Sequence, residues 1–121
     1  MEGGLGVEGS IHAGNDIIAF SSSDVTLKKD ITPIENALEM INKISGNTFT
    51  WNTGIQHLIP YENGTKDTGI LAQEVEALGL PGVTTTRGDG VKAVRYERLI
   101  PVLIEAVKEL TAKVKSLESN K

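Results

Sequence analysis

From Ile100 to Leu117 the residues Ile100, Leu103, Val107, Leu110, Val114 and Leu117 recur at alternating intervals of three and four. That is the heptad seam of a helix meant to lie against other helices. Pro101 is tolerated only in a first helical turn, so the helix should begin between Glu97 and Ile100. β-branched residues at a with Leu at d favour, by themselves, a two-stranded parallel coil. The seam is short, so the rest of the domain also bears on the number of strands. Association is expected on a second ground. With two Tyr, two Phe and one Trp in 121 residues, a monomeric core would be thin.

Ahead of this helix the sequence reads as a small α+β domain. Thr32, Pro33 and Glu35 combine an N-cap, a first-turn proline and a capping-box acid, which predicts a helix from Pro33 to about Ile44. Its buried stripe would be Ile34, Leu38, Ile41 and Ile44, and Gly46 would stop it. "NTFTWN" alternates as a strand does, and Asn63-Gly64 is a turn dipeptide. "TGILAQEVEALGL" reads as a short strand running into a short helix that ends near Gly79. Asp89-Gly90 marks a hairpin turn, with "VKAVRY" as the strand that leaves it.

The start of the chain is different. Residues 1–14 are Gly-rich with isolated apolar residues (Leu5, Val7, Ile11) and cannot build a core alone. Asn15 to Phe20 has the β-branched content of a short strand, and "SSSD" ends it. The expected organisation is therefore a C-terminal remnant of a β-rich segment over 1–22, followed by the α+β domain and its long helix over 23–121.

Charge and composition remove several classes of function. A net charge of −4 without a Lys/Arg cluster argues against a nucleic-acid surface. Apolar runs of a few residues fall far short of the roughly 20 a membrane span needs, and the start of the chain lacks the regions of a signal peptide. The absence of Cys excludes disulfides, thiolate metal sites and cysteine nucleophiles, and fits folding in the cytoplasm.

Some patterns mislead. Gly4, Gly6 and Gly9 match a dinucleotide fingerprint by letter, but no strand precedes them. Arg87-Gly88-Asp89 falls where a hairpin turn is expected, and Asn63-Gly64-Thr65 reads as a turn rather than a glycosylation site. His12 and His57 have no partner at metal-ligand spacing, so neither a metal nor a cofactor is expected. Trp51 reads as core, and the Lys and Glu residues of the last helix as its solvated face.

One stretch, "FSSSDVTLKKDI" at 20–31, bears on chemistry. A serine hydroxyl is a weak nucleophile until a base takes its proton. A lysine is such a base only when neutral, a form favoured by burial or a neighbouring cation. Lys28 follows Ser23 by five residues, with Leu27 and Ile31 as apolar neighbours and Lys29 as a second cation. Asp24 or Asp30 is placed to hold the lysine or a turn. The same residues also make good linker or N-cap material, and spacing alone leaves both readings open.

Three blocks of the sequence resemble the signature blocks of one family. "SSSDVTLKKDITPIENAL" at 21–38, "GILAQEVEALGLPGV" at 69–83 and "VRYERLIPVLIEAVKELTAKV" at 94–114 look like those of the endosialidase-type intramolecular chaperone, the S74 peptidases, and stand in that family's order. The family forms the C-terminal domain of bacteriophage tail spikes, tail fibres and neck appendages. The resemblance implies a homotrimer whose long helices form a trimeric coiled coil. It also implies a chaperone that folds the upstream fibre segment of its own chain and then cuts itself off. Carried onto this sequence, Ser23 would be the nucleophile, Lys28 the general base and Ser22–Ser23 the bond cut, within Ser23, Asp24, Leu27 and Lys28 of the family's motif. Thr26 stands where members often carry Arg. Such a chain would act in the host bacterial cytoplasm during phage assembly, its passenger going to the virion tail, with no cofactor, nucleic acid or membrane involved. Two other readings stand beside this one: a trimerisation module that does not cleave, and a chaperone-like domain of a membrane-bound transcription factor. The second of these would require a DNA-binding region and a spanning helix, which are not found in this sequence.

Overall fold

The computed structural model describes residues 3–55, 57–59 and 61–120. The ends of both expected segments, Met1, Glu2 and Lys121, lie outside these. The chain divides by packing into residues 1–31 and 32–121.

Among the described residues of the first unit, the single regular element is a 3-10 turn over Val25–Leu27. No β-ladder forms among the described residues before it, so the strand expected over 15–20 is absent from the single chain. A strand is stabilised by a neighbouring strand that takes up its backbone N–H and C=O groups, and this glycine-rich unit offers no second β run. Its apolar side chains stay in solvent, with Ile18 at 88% and Phe20 at 98% exposure.

The second unit is α+β. Helix α1 (Ala37–Ile41) leads to strand β1 (Asn47–Thr50), which pairs antiparallel with β2 (Lys66–Gly69) in the register Asn47 to Gly69 and Thr50 to Lys66. Beyond the ladder, the Trp51 N–H donates to the Thr65 carbonyl and the Thr65 N–H closes the Asn63-Gly64 turn on Glu62. Trp51 stacks on Tyr61 at 5.0 Å, meets Phe49 edge-on at 4.9 Å, and donates its indole N–H to Asp67 at 3.1 Å. Helix α2 (Ala72–Glu76) follows and packs on a second hairpin, β3 (Thr84–Thr86) with β4 (Lys92–Val94). Gly90 sits in that hairpin's turn at φ +87, a conformation that side-chain-bearing residues rarely adopt, and Asp89 accepts the Val91 N–H at 2.9 Å. A 3-10 segment over Tyr96–Leu99 then runs into α3 (Ile100–Ser119), at the start expected from Pro101.

Helix α1 is shorter than its sequence suggests. The stripe of Ile34, Leu38, Ile41 and Ile44 does pack against the core, but the helix begins at Ala37 rather than Pro33. The residue before it, Asn36, is left-handed at φ 58, which a continuous helix from Pro33 does not allow. Nor does the Asn36 side chain cap α1. Glu109 does so from α3: its carboxylate accepts the Ala37 N–H at 2.7 Å and the Leu38 N–H at 3.4 Å. The expected solvated face of the last helix is therefore broken at Glu109. Another long-range carboxylate, Glu74, accepts from the backbone N–H and the hydroxyl of Ser45 at 3.0 and 2.8 Å and ties α2 to the segment after α1.

Among the described residues the buried core is small: Ala37, Val75, Val83, Leu99, Val102 and Ala106. Two alanines among six residues let backbones approach closely, but they contribute little apolar area. The interior thus rests on a few aliphatic groups and on carboxylates that satisfy helix and loop amides. Close packing also restricts Gly69. A Cβ there would lie 2.6 Å from Tyr96 Oη, which accepts the Ile70 N–H at 3.2 Å, and 3.3 Å from a Phe49 ring carbon.

Two outcomes are expected in denaturant unfolding at fixed protein concentration. Glu109→Ala lowers stability by about 1–2 kcal/mol, the size of a lost helix cap, while Glu109→Gln, which keeps an acceptor, loses less. Gly69→Ala destabilises the parent chain but costs less in a Tyr96→Phe background, because the clashing oxygen is gone; equal costs in the two backgrounds would refute the contact.

Candidate active site

The site is built by one turn. Asp24 caps the 3-10 turn from its extended backbone at φ −64, ψ 136; its Oδ1 accepts the Thr26 N–H at 2.8 Å and the Thr26 hydroxyl at 2.7 Å. The turn is closed by the Leu27 N–H on the Asp24 carbonyl and the Lys28 N–H on the Val25 carbonyl. Asp is a preferred residue at this position because its short side chain reaches an amide two residues on. Of the serines and the aspartate in "SSSD", it is Asp24 that serves as cap.

The consequence is a contact between two reactive groups. After a tight turn of three residues the chain has doubled back, and Lys28 Nζ donates to Ser23 Oγ at 2.7 Å. Reversed, with a neutral amine accepting the hydroxyl proton, the same contact is that of a nucleophile and its base. Both side chains are exposed, as are Ser22 and Lys29. Asp24 holds its proton less readily than an ordinary carboxyl: the Thr26 N–H first and then the Thr26 hydroxyl stabilise the charged form. Asp30 lies two residues past Lys28 at φ 55, in the left-handed region that Asp tolerates better than most residues.

Thr26 was not among the site residues singled out from sequence, apart from its departure from the family's Arg. A signal for it exists in the pattern Asp-x-Thr, in which both the amide and the hydroxyl of the Thr fall within reach of the carboxylate.

The heptad residues stand apart from the core. Ile100 is 55% exposed, Val107 61% and Leu110 50%, and Leu103, Val114 and Leu117 are exposed as well. A different face of the chain's end, Leu99, Val102 and Ala106, is the one buried. Residues 4–9 form no strand or helix, Arg87-Gly88-Asp89 lies in the β3–β4 turn, and His12 and His57 are exposed. Among the described residues no three His, Asp or Glu side chains gather as a metal site, and no helix is long and apolar enough to cross a membrane.

A family model described as the chaperone of endosialidase, Peptidase_S74, matches residues 23–85. The chain is 35% identical over 100 residues to the long tail fiber protein Gp37 of Enterobacteria phage K3, covering 80% of this chain and 8% of that protein. Identity to Gp37 of Enterobacteria phage T2 is also 35% over 100 residues, with 7% of that protein covered. For Gp37 of Salmonella phage S16 it is 36% over 78 residues, with 61% of this chain and 10% of that protein covered. The chain thus spans a tenth or less of the length of these relatives. With the family model matching more than half of its residues, the chain belongs to the chaperone-of-endosialidase family.

Proposed function

We propose that this chain is the C-terminal intramolecular chaperone of a phage tail fibre or spike, that it assembles as a homotrimer, and that it releases itself by cutting the Ser22–Ser23 bond. The observation that carries the reading is the 2.7 Å contact of Lys28 Nζ with Ser23 Oγ, at the residue where the family match begins. Similarity to long tail fiber proteins supplies the class of passenger.

The chemistry needs no cofactor. Lys28 Nζ takes the Ser23 hydroxyl proton as Oγ attacks the Ser22 carbonyl carbon; the tetrahedral intermediate collapses as the Ser23 nitrogen leaves, taking the proton back from Lys28. An ester then joins the Ser22 carbonyl to Ser23 Oγ, and the Ser23 amine is free. Water hydrolyses the ester to a Ser22 carboxylate and the Ser23 hydroxyl. In total one peptide bond and one water are consumed, and the enzyme acts once on its own chain. Asp24 supports the turn that carries the pair.

Assembly explains the timing. A lysine acts as base only when neutral, and desolvation favours that form. Both groups are exposed in the single chain, so neighbouring subunits would have to exclude water for cutting to begin. Cleavage then follows trimer formation. The apolar α3 seam gives the chains a reason to assemble, and holding three chains together raises the local concentration of the fibre segments that must interwind. An interwound fibre resists unfolding kinetically, so the chaperone is dispensable after release.

The exposure of Ser23 and Lys28 also favours a second reading, a trimerisation module that never cuts. The intact mass of fresh protein beside Ser23→Ala and Lys28→Met variants, all sized in solution, separates the two. Self-cleavage gives a fragment beginning at Ser23 that is lost in both variants while all three remain trimers; uncut trimers throughout leave only the module. Leu110→Asp is expected to yield uncut monomers of near-parental helix content by circular dichroism, since Leu110 is 50% exposed in the single chain. A trimer that persists in this variant would remove the seam from the assembly.

A further inference from the structure

We infer that Thr26 is a positioning residue for the Ser23–Lys28 pair, its hydroxyl completing the turn that sets the lysine against the serine. The inference rests on the reading of those two residues as nucleophile and base. Lys28 reaches Ser23 only because the chain reverses over Val25–Leu27. A single 3-10 turn has poor hydrogen-bond geometry and little stability of its own. Nor is this one held by burial, with Val25 68% and Leu27 70% exposed. What reinforces it is Asp24 Oδ1, which accepts from Thr26 twice, through the amide at 2.8 Å and through the hydroxyl at 2.7 Å.

The amide bond is open to any non-proline residue at position 26. The hydroxyl bond is not. A second bond to Asp24 needs a donor on the side chain at position 26, and in this chain the Thr26 hydroxyl supplies it. The lowered proton affinity of Asp24, to which the Thr26 hydroxyl contributes after the amide, agrees with that geometry. Thr26 acts through Asp24 and the turn; its hydroxyl takes no part in the bond changes.

The test compares Thr26→Ser, which keeps the hydroxyl, with Thr26→Val, which keeps the shape and loses it. Cleavage is followed by intact mass during cell-free synthesis of the full chain. Thr26→Val should slow cutting by about ten- to a hundredfold, the effect of a misplaced reacting group, with trimer size unchanged, while Thr26→Ser cuts at close to the parental rate. Cutting by Thr26→Val at the parental rate overturns the inference, as does equal slowing in both variants, which would assign the effect to packing. A second readout does not depend on cleavage. In Ser23→Ala chains, the Asp24 carboxyl followed by NMR should titrate below the ordinary 3.8 and move up when Thr26→Val is added; an unmoved midpoint overturns the inference. A parent chain that stays uncut while the Asp24 midpoint does move would overturn the peptidase reading and leave the role of Thr26 in the turn supported.

Discussion

Helix α3 has two apolar faces, and the single chain covers only one. Successive residues of a helix are about 100° apart around its axis, so Val102 and Ala106 lie on a face about 100° round from that of Leu103 and Val107. The first pair is buried, with α1 packed on the same helix; the second is exposed. Because α1 spans only five residues, it covers just part of a helix of twenty. The rest of the design follows from this division. One face makes the 32–121 unit a folded body, and the other leaves it with apolar surface for which further helices are the natural cover.

Charge makes up for what the core lacks. Among the described residues six small or medium aliphatic side chains are buried, and several amides around them are satisfied by carboxylates distant in sequence. Glu109 caps α1, and Glu74 holds Ser45. Each carboxylate fixes a direction as well as an energy, since a hydrogen bond to a backbone amide sets where the element starts. A helix of five residues without a cap is too short to persist alone. Glu109 therefore helps both to form α1 and to hold it on the helix that carries the seam.

At the other end of the chain, the contact between Ser23 and Lys28 depends on a local device. Ser23 and Lys28 meet through a turn whose caps and closures all lie between residues 24 and 28. A pair built from neighbouring residues does not depend on distant contacts for its geometry. In the proposed mechanism, geometry is set early and reactivity is acquired late, which suits a peptidase that must wait for its passenger to fold.

Much of this was legible in the residues. The Asn63-Gly64 and Asp89-Gly90 turns, the strands beside them, the short helix after Gly69, which ends at Glu76 ahead of the expected Gly79, and the start of α3 were readable because turn chemistry and periodicity act within a few residues. The closeness of Ser23 and Lys28 was suggested by spacing but left undecided, because five residues fit a linker as well as a turn until Asp24 is seen to cap one. The start of α1 was misplaced: Thr32 and Pro33 carry the local signals of a helix N-terminus, but Asn36 in the left-handed region and a carboxylate 72 residues away govern the result. The strand over 15–20 failed for a related reason, since β propensity describes half of a ladder and the single chain supplies no other half. The sequence by itself determined the turns, the heptad seam and the order of α and β elements, all products of short-range sterics and periodicity. Only the tertiary structure decided which face of α3 is buried and where α1 begins, because both depend on contacts between residues far apart in the chain.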